Sequence, residues 1–170
     1  MNRRLFVIAT LSLLAACTAQ PPSRPIAPAA SADPHQIAAA ALEITPGPGR
    51  PGDDALYRAM GQLPGIGRLV DTLLAEIAND LRINLLFADT DMPYLRARLI
   101  EQLCEAAGGP CTYTGLPMPE AHSGQRITPE QFGYFVEDLD RAMARVGLDA
   151  ATQNTLRSVL GGMRDEVIGL

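Results

Sequence analysis

The sequence predicts an all-α fold. Three observations carry that expectation. Apolar residues recur at helical spacing through most of the chain, no stretch alternates with period two for long, and helical stretches are bounded by capping residues and glycine stops. Hydrophobic residues make up 47% and charged residues 19% of the 170 positions, the balance of a globular chain.

The N-terminus reads Met1-Asn2-Arg3-Arg4 followed by an apolar run to Ala16. A positive start and an apolar stretch too short to span a bilayer predict an export signal over residues 1–17. It closes with Leu14-Ala15-Ala16-Cys17, which resembles the lipobox of bacterial lipoprotein signal peptides. That resemblance implies that Cys17 becomes the lipidated first residue, with a membrane as partner through the lipid anchor. The expected location is the periplasmic face of a membrane, and the absence of Asp after Cys17 leans towards the outer one. Residues 18–53 are rich in Ala and Pro, among them Pro21-Pro22, Pro25, Pro28 and Pro46-Gly47-Pro48-Gly49-Arg50-Pro51-Gly52. Pro removes donors and Gly restores freedom, so this segment is expected to be a tether. The folded domain is then 54–170.

Within it, Leu63, Ile66, Leu69, Val70, Leu73, Leu74 and Ile77 form one helical stripe. Met92, Leu95, Leu99, Ile100, Leu103 and Ala106 form a second, which stops at Gly108-Gly109-Pro110. A third opens with Thr128-Pro129-Glu130-Gln131, an N-cap, a Pro in the first turn and a capping-box Gln. It carries Phe132, Phe135, Val136, Leu139, Met143 and Val146 and ends at Gly147. A fourth starts after Asp149 and runs through Leu156, Leu160, Met163 and Val167, with Gly161-Gly162 predicting close packing or a kink inside it. Residues 111–127 fit no long helix. A 17-residue irregular segment inside a helical domain usually has a use. Cys104 and Cys111 flank the turn that opens it. A disulfide and two free thiols both stand as alternatives, because sequence does not give the Cα separation a bridge needs.

Composition removes several function classes. The net charge is −5, all 14 basic residues are Arg, and no basic run exists to track a phosphate backbone, so nucleic acid is not an expected partner. There is no phosphate-binding loop, no CxxC, no CxxCH and no HExxH. Of the two His, His35 lies in the tether and His122 in the irregular segment, too few for zinc. Haem needs only one protein ligand, since its pyrrole nitrogens already fill the iron's equatorial plane. His122 with the Leu-rich stripes and the Arg residues meets that requirement. From spacing alone, a loop-capping role for His122 stands beside it.

Several motifs narrow this further. Leu56-Tyr57-Arg58-Ala59-Met60-Gly61, Gly108-Gly109-Pro110 with Tyr113-Thr114-Gly115, Met118-Pro119-Glu120-Ala121-His122, and Ile127-Thr128 with Phe132 occur in that order. Together they resemble the group I truncated haemoglobins, the short two-over-two helical globins. The resemblance implies that fold over Leu56 to Leu170 and non-covalent haem b, with His122 as the iron ligand and diatomic gases (O2, NO, CO) as partners. It further implies Phe87 packing on the porphyrin, Arg98 pairing with a propionate, and Tyr113, Met118, Phe132 and Phe135 lining the haem.

The chain departs from this pattern in places. The family's usual Tyr, whose hydroxyl hydrogen-bonds O2, is Leu74, and the positions often polar on the distal helix are Leu95 and Leu99. These three are expected to make the distal pocket apolar, favouring CO or NO over O2 and giving no acid–base residue for peroxidase or NO dioxygenase chemistry. The glycine pair after the first helix is reduced to Gly61-Gln62, and Arg126 replaces a usual Gly. A haem-free helical interaction module on a degenerate globin scaffold is the competing reading.

Overall fold

The computed structural model describes residues 53–170, so the expected signal peptide, Cys17 and all of the tether before Asp53 lie outside the described residues. Six helices follow in order: α1 (Ala55–Ala59), α2 (Gln62–Asn79), α3 (Met92–Ala106), α4 (Met118–Ala121), α5 (Pro129–Arg145) and α6 (Ala150–Gly161). Short 3-10 turns occupy Asn84–Phe87 and Arg164–Glu166.

Helix α2 is the centre of the core. Ile66, Leu69, Val70, Leu73 and Ile77 recur every three or four residues and are buried. That face packs along both α3 and α5, while α1 sits against α2 and α6. The α1–α2 junction is tight, since a Cβ at Gly65 would collide with the Met60 carbonyl oxygen. Gly61 and Gln62 both hold positive φ, 80° and 58°. Arg126 does the same at 52°. At both non-glycine positions the resemblance expects Gly. The left-handed conformation costs residues other than glycine about 1–2 kcal/mol, so both departures leave strained backbone in this chain.

Local sequence accounts for the helix ends. Asp91 caps α3 by accepting from the Tyr94 amide at 3.0 Å. At its other end Gly108 (φ 80°) turns left-handed, with Gly109 N–H donating to Cys104 O at 2.8 Å and Gly108 N–H to Glu105 O at 3.0 Å. This is a Schellman closure. A Cβ at Gly109 would lie 2.5 Å from the Tyr57 ring, which explains the second glycine. Cys104 and Cys111 are joined in a disulfide with Cα atoms 5.7 Å apart. It ties the end of α3 to the loop that leads to α4. Thr128 and Gln131 form the capping box of α5, with the Thr128 amide donating to Gln131 Oε1 at 2.9 Å and the Gln131 amide to Thr128 Oγ1 at 3.2 Å. Gly147 closes that helix with a second Schellman pair, Leu148 N–H to Met143 O at 3.1 Å and Gly147 N–H to Ala144 O at 3.1 Å.

One expectation fails. The fourth stripe does not run on to Val167: α6 ends at Gly161, and Gly162 is its C-cap. Packing against another element does not explain the glycines: a Cβ at Gly161 would meet nothing within 4 Å, and one at Gly162 only carbonyls of the preceding turn, Val159 O at 3.4 Å and Ser158 O at 3.8 Å. Two adjacent residues of low helix propensity end the helix instead of kinking it. Among the described residues no helix is long and apolar enough to cross a membrane.

Candidate functional site

The helices leave a cavity of about 470 Å³. Leu73 and Ile77 of α2, Phe87 of the 3-10 turn, and Leu95, Leu99 and Leu103 of α3 line it. Met118 of α4 and His122 just after it face them, with Phe132, Phe135 and Leu139 from α5, Leu160 from α6, and Met163 and Val167 from the C-terminal segment. Its polar lining, besides His122, includes Thr90, Tyr94, Arg98, Gln102, Tyr113, Gln125, Gln131 and Arg157.

His122 follows directly on α4, a helix of a single turn. Its Nδ1 lies 2.8 Å from the Met118 carbonyl oxygen. A carbonyl only accepts, so Nδ1 must carry the proton, and in the neutral ring Nε2 keeps a free lone pair. The backbone of α4 thus sets both the tautomer and the ring orientation of a half-buried imidazole on the cavity wall, the arrangement that suits a metal-ligating nitrogen.

Arg98 sits on the same cavity with its guanidinium 5.2 Å over the Tyr94 ring. Its Nη1 donates to Thr114 Oγ1 and lies 3.0 Å from Glu101 Oε2. Its Nε is buried and has no partner among the described residues. A buried unpaired donor of this kind costs about 1–3 kcal/mol unless something accepts from it. Tyr113 donates to the Leu116 carbonyl at 2.9 Å, and burial pushes its phenol up from its ordinary range. Gly115 lies so close to that hydroxyl that a Cβ there would collide with it. Gln102 directs its amide at the sulfurs of Met118 and Met163, 3.2 and 3.3 Å away. Phe132 and Phe135 stand 6.4 Å apart, tilted by 38°.

Of the residues singled out from the sequence, the structure gathers His122, Phe87, Arg98, Leu95, Leu99, Tyr113, Met118, Phe132 and Phe135 around this one cavity. Leu74 is the exception. It is half-buried against the core and absent from the cavity wall, where its neighbour Leu73 takes the place. Successive side chains turn by about 100° along a helix. Leu73 and Leu74 therefore point about 100° apart, and it is Leu73, with Ile77 one turn on, that reaches the cavity wall. Cys104 and Cys111 lie off the cavity, and Cys17 is outside the described residues. Sequence reasoning missed Ile77, Gln102, Met163 and, behind the wall, Glu101. The i, i+4 pairing of Leu73 with Ile77 could have found the first, and the stripe shared with Leu160 and Val167 could have found Met163; nothing in spacing marks Gln102 or Glu101.

A slot between short helices, with a single-turn α4 presenting an imidazole, defines a two-over-two truncated globin. The chain belongs to the bacterial-like globin family, whose model matches residues 55–168. It is 36% identical over 95 residues to the group 1 truncated hemoglobin of a Nostoc species, an alignment covering 56% of this chain and 80% of the relative. The truncated hemoglobin of Tetrahymena pyriformis in its Fe(III) form superposes with a TM-score of 0.66 at 25% identity, covering 68% of this chain and 98% of that one. The 2/2 hemoglobin of a Synechococcus species, 21% identical with a TM-score of 0.63 over 66% and 97% of the two chains, shares the fold.

A globin fold implies haem, and two observations of this chain fit it. The His122 tautomer leaves a nitrogen lone pair for an axial ligand, and the orphaned Arg98 Nε awaits an acceptor such as a carboxylate.

Proposed function

We propose that this protein binds haem b non-covalently through His122 Nε2 and reversibly takes up diatomic gases in a pocket walled by leucines. The observation that carries the reading is the 2.8 Å contact of His122 Nδ1 with the Met118 carbonyl, which holds the imidazole as a ready ligand on an apolar cavity. Haem, when bound, supplies an iron with one coordination position left for a small ligand. The competing haem-free module is disfavoured, because packing alone gives no reason to keep a cavity of about 470 Å³ beside a buried unpaired guanidinium nitrogen.

The protein's own groups then divide the work. His122 holds its proton on Nδ1 and donates electrons from Nε2. Arg98 offers a carboxylate the donor it has not yet used. Leu73, Ile77, Leu95 and Leu99 exclude water and offer no N–H or O–H of their own, while Tyr94, Arg98 and Gln102 are the polar side chains that α3 brings to the cavity. Of these, Gln102 has its amide engaged by two thioethers. O2 gains more from a donor than CO or NO does. It should be held roughly ten- to hundredfold more weakly than in a relative that supplies one.

Haemin added to the purified protein should produce a Soret band, and His122→Ala should abolish or shift it to that of a protein without an imidazole ligand. A protein that stays colourless with haemin, or an unchanged spectrum in His122→Ala, defeats the reading. We place the protein on the periplasmic face of a membrane by a lipid on Cys17, on the strength of the Leu14-Ala15-Ala16-Cys17 motif. Labelled palmitate should be incorporated by the natural chain and not by Cys17→Ala.

A further inference from the structure

Glu101 is the one carboxylate of α3 that the fold buries, at 1% exposure. Its Oε2 accepts from the Thr114 amide at 3.0 Å and the Thr114 hydroxyl at 2.9 Å and is ion-paired with Arg98 Nη1 at 3.0 Å. Thr114 Oγ1 in turn accepts from the same Nη1. One end of the Arg98 guanidinium is therefore fixed by two oxygens. The opposite edge, formed by Nε and Nη2, is the planar fork that matches a carboxylate, and its Nε is buried without a partner.

Without Glu101, Arg98 would be a long, flexible cation at the rim of an apolar cavity, free to turn into water. With it, the guanidinium is restrained by the carboxylate and the threonine below and by the Tyr94 ring beside it. We propose that Glu101 is a positioning residue for cofactor binding: it holds Nη1 of Arg98 so that the rest of the guanidinium stays at the cavity wall, where it pairs with a carboxylate of the bound group. Thr114 links this arrangement to the loop that carries Tyr113 and leads to His122, so the anion-holding and iron-holding sides of the site share one anchor.

The proposal rests on the haem reading, and the test separates the two. Glu101→Gln keeps an acceptor for Thr114 but removes the charge that holds Arg98. Haem transfer to an excess of an apoglobin acceptor should be about tenfold faster from Glu101→Gln and from Arg98→Met than from the natural protein. The double variant should be no faster than the faster single one, because the two residues act as one unit. Resonance Raman propionate bending modes should shift alike in both single variants. They should stay in place in Cys104→Ser/Cys111→Ser, which loosens the same loop without touching Arg98. Thr114→Val should give a smaller change in the same direction, and it serves if Glu101→Gln fails to fold. Unchanged haem loss and unchanged modes in Glu101→Gln, or in Thr114→Val where that variant serves, overturn the proposal. So do losses that multiply in the double variant, which would make Glu101 a plain loop anchor. Failure of the natural protein to take up haemin instead overturns the haem reading beneath it.

Discussion

Leu73 and Leu74 illustrate what one residue of register decides. Motif matching places the family's hydrogen-bonding Tyr at Leu74, yet the cavity is lined by Leu73, with Leu74 turned towards the rest of the core. A helix rotates by about 100° per residue, and the choice between neighbours depends on how α2 rolls against α3 and α5. A local pattern does not contain that roll. The consequence is measurable. Leu73→Tyr should bring a hydroxyl into the cavity and slow O2 dissociation by roughly tenfold, the worth of one good hydrogen bond, whereas Leu74→Tyr should leave it within about twofold. Stopped-flow displacement of O2 by CO would check both, and the reverse ranking would return the distal position to Leu74. Glu101 was illegible for a related reason. A Glu on a helix reads as a solvent-facing residue until its partner is known, and that partner lies thirteen residues away in an irregular loop.

Helices were far more legible than side-chain roles, because their signals are local. Thr128-Pro129-Glu130-Gln131 specifies a start and Gly147 a stop within a few residues, and both are realised as hydrogen bonds. The extent of α6 was not legible: a stripe of apolar residues continued past Gly161-Gly162 although the helix did not, since Met163 and Val167 reach the same cavity from a 3-10 segment. The α3–α4 connection depends instead on a covalent link. Cys104 and Cys111 are seven residues apart in sequence, and closing so short a loop restricts the unfolded chain by about 2–3 kcal/mol. Cys104→Ser/Cys111→Ser should lower the stability of the protein by about that amount in urea unfolding, with little change in the slope of the transition. Equal midpoints with and without the bridge would show that Gly108, Gly109 and the Schellman bonds hold this corner by themselves.

Across the whole molecule, two walls of the cavity, α2 with the turn after it and α5, are fastened by charge as well as by packing. The lower half of α2 and the turn after it meet α5 through Glu76, Asp80, Arg82, Glu137, Asp138, Arg141 and Arg145. Arg141 reaches Glu76 at 3.2 Å and Asp80 at 3.7 Å and donates to the buried Asp138. Arg145 meets Glu76 at 2.8 Å, while Arg82 bridges Asp80 and Glu137 at 2.7 and 2.8 Å and stacks over Tyr134 at 4.0 Å. Hydrogen bonds from the Arg82 side chain, then from its backbone amide, hold the Asp80 carboxyl down at about 2, below its ordinary 3.8. A carboxyl lowered by folding stabilises the native state above its unfolded pKa and loses that contribution as pH falls through the folded value. The contribution of Asp80 should therefore be complete above about pH 5 and decline between about pH 4 and pH 2. Thermal midpoints measured across that window should fall less steeply in Asp80→Asn than in the natural protein, although the variant starts from a lower midpoint near pH 6. If haem is retained through this clamp, the Soret band should be lost over the same interval, at higher pH in Asp80→Asn. Parallel acid profiles for the two proteins would mean that α2 and α5 are held by Leu69, Leu73, Leu139 and Met143 alone, with the ion pairs contributing nothing that protons can remove.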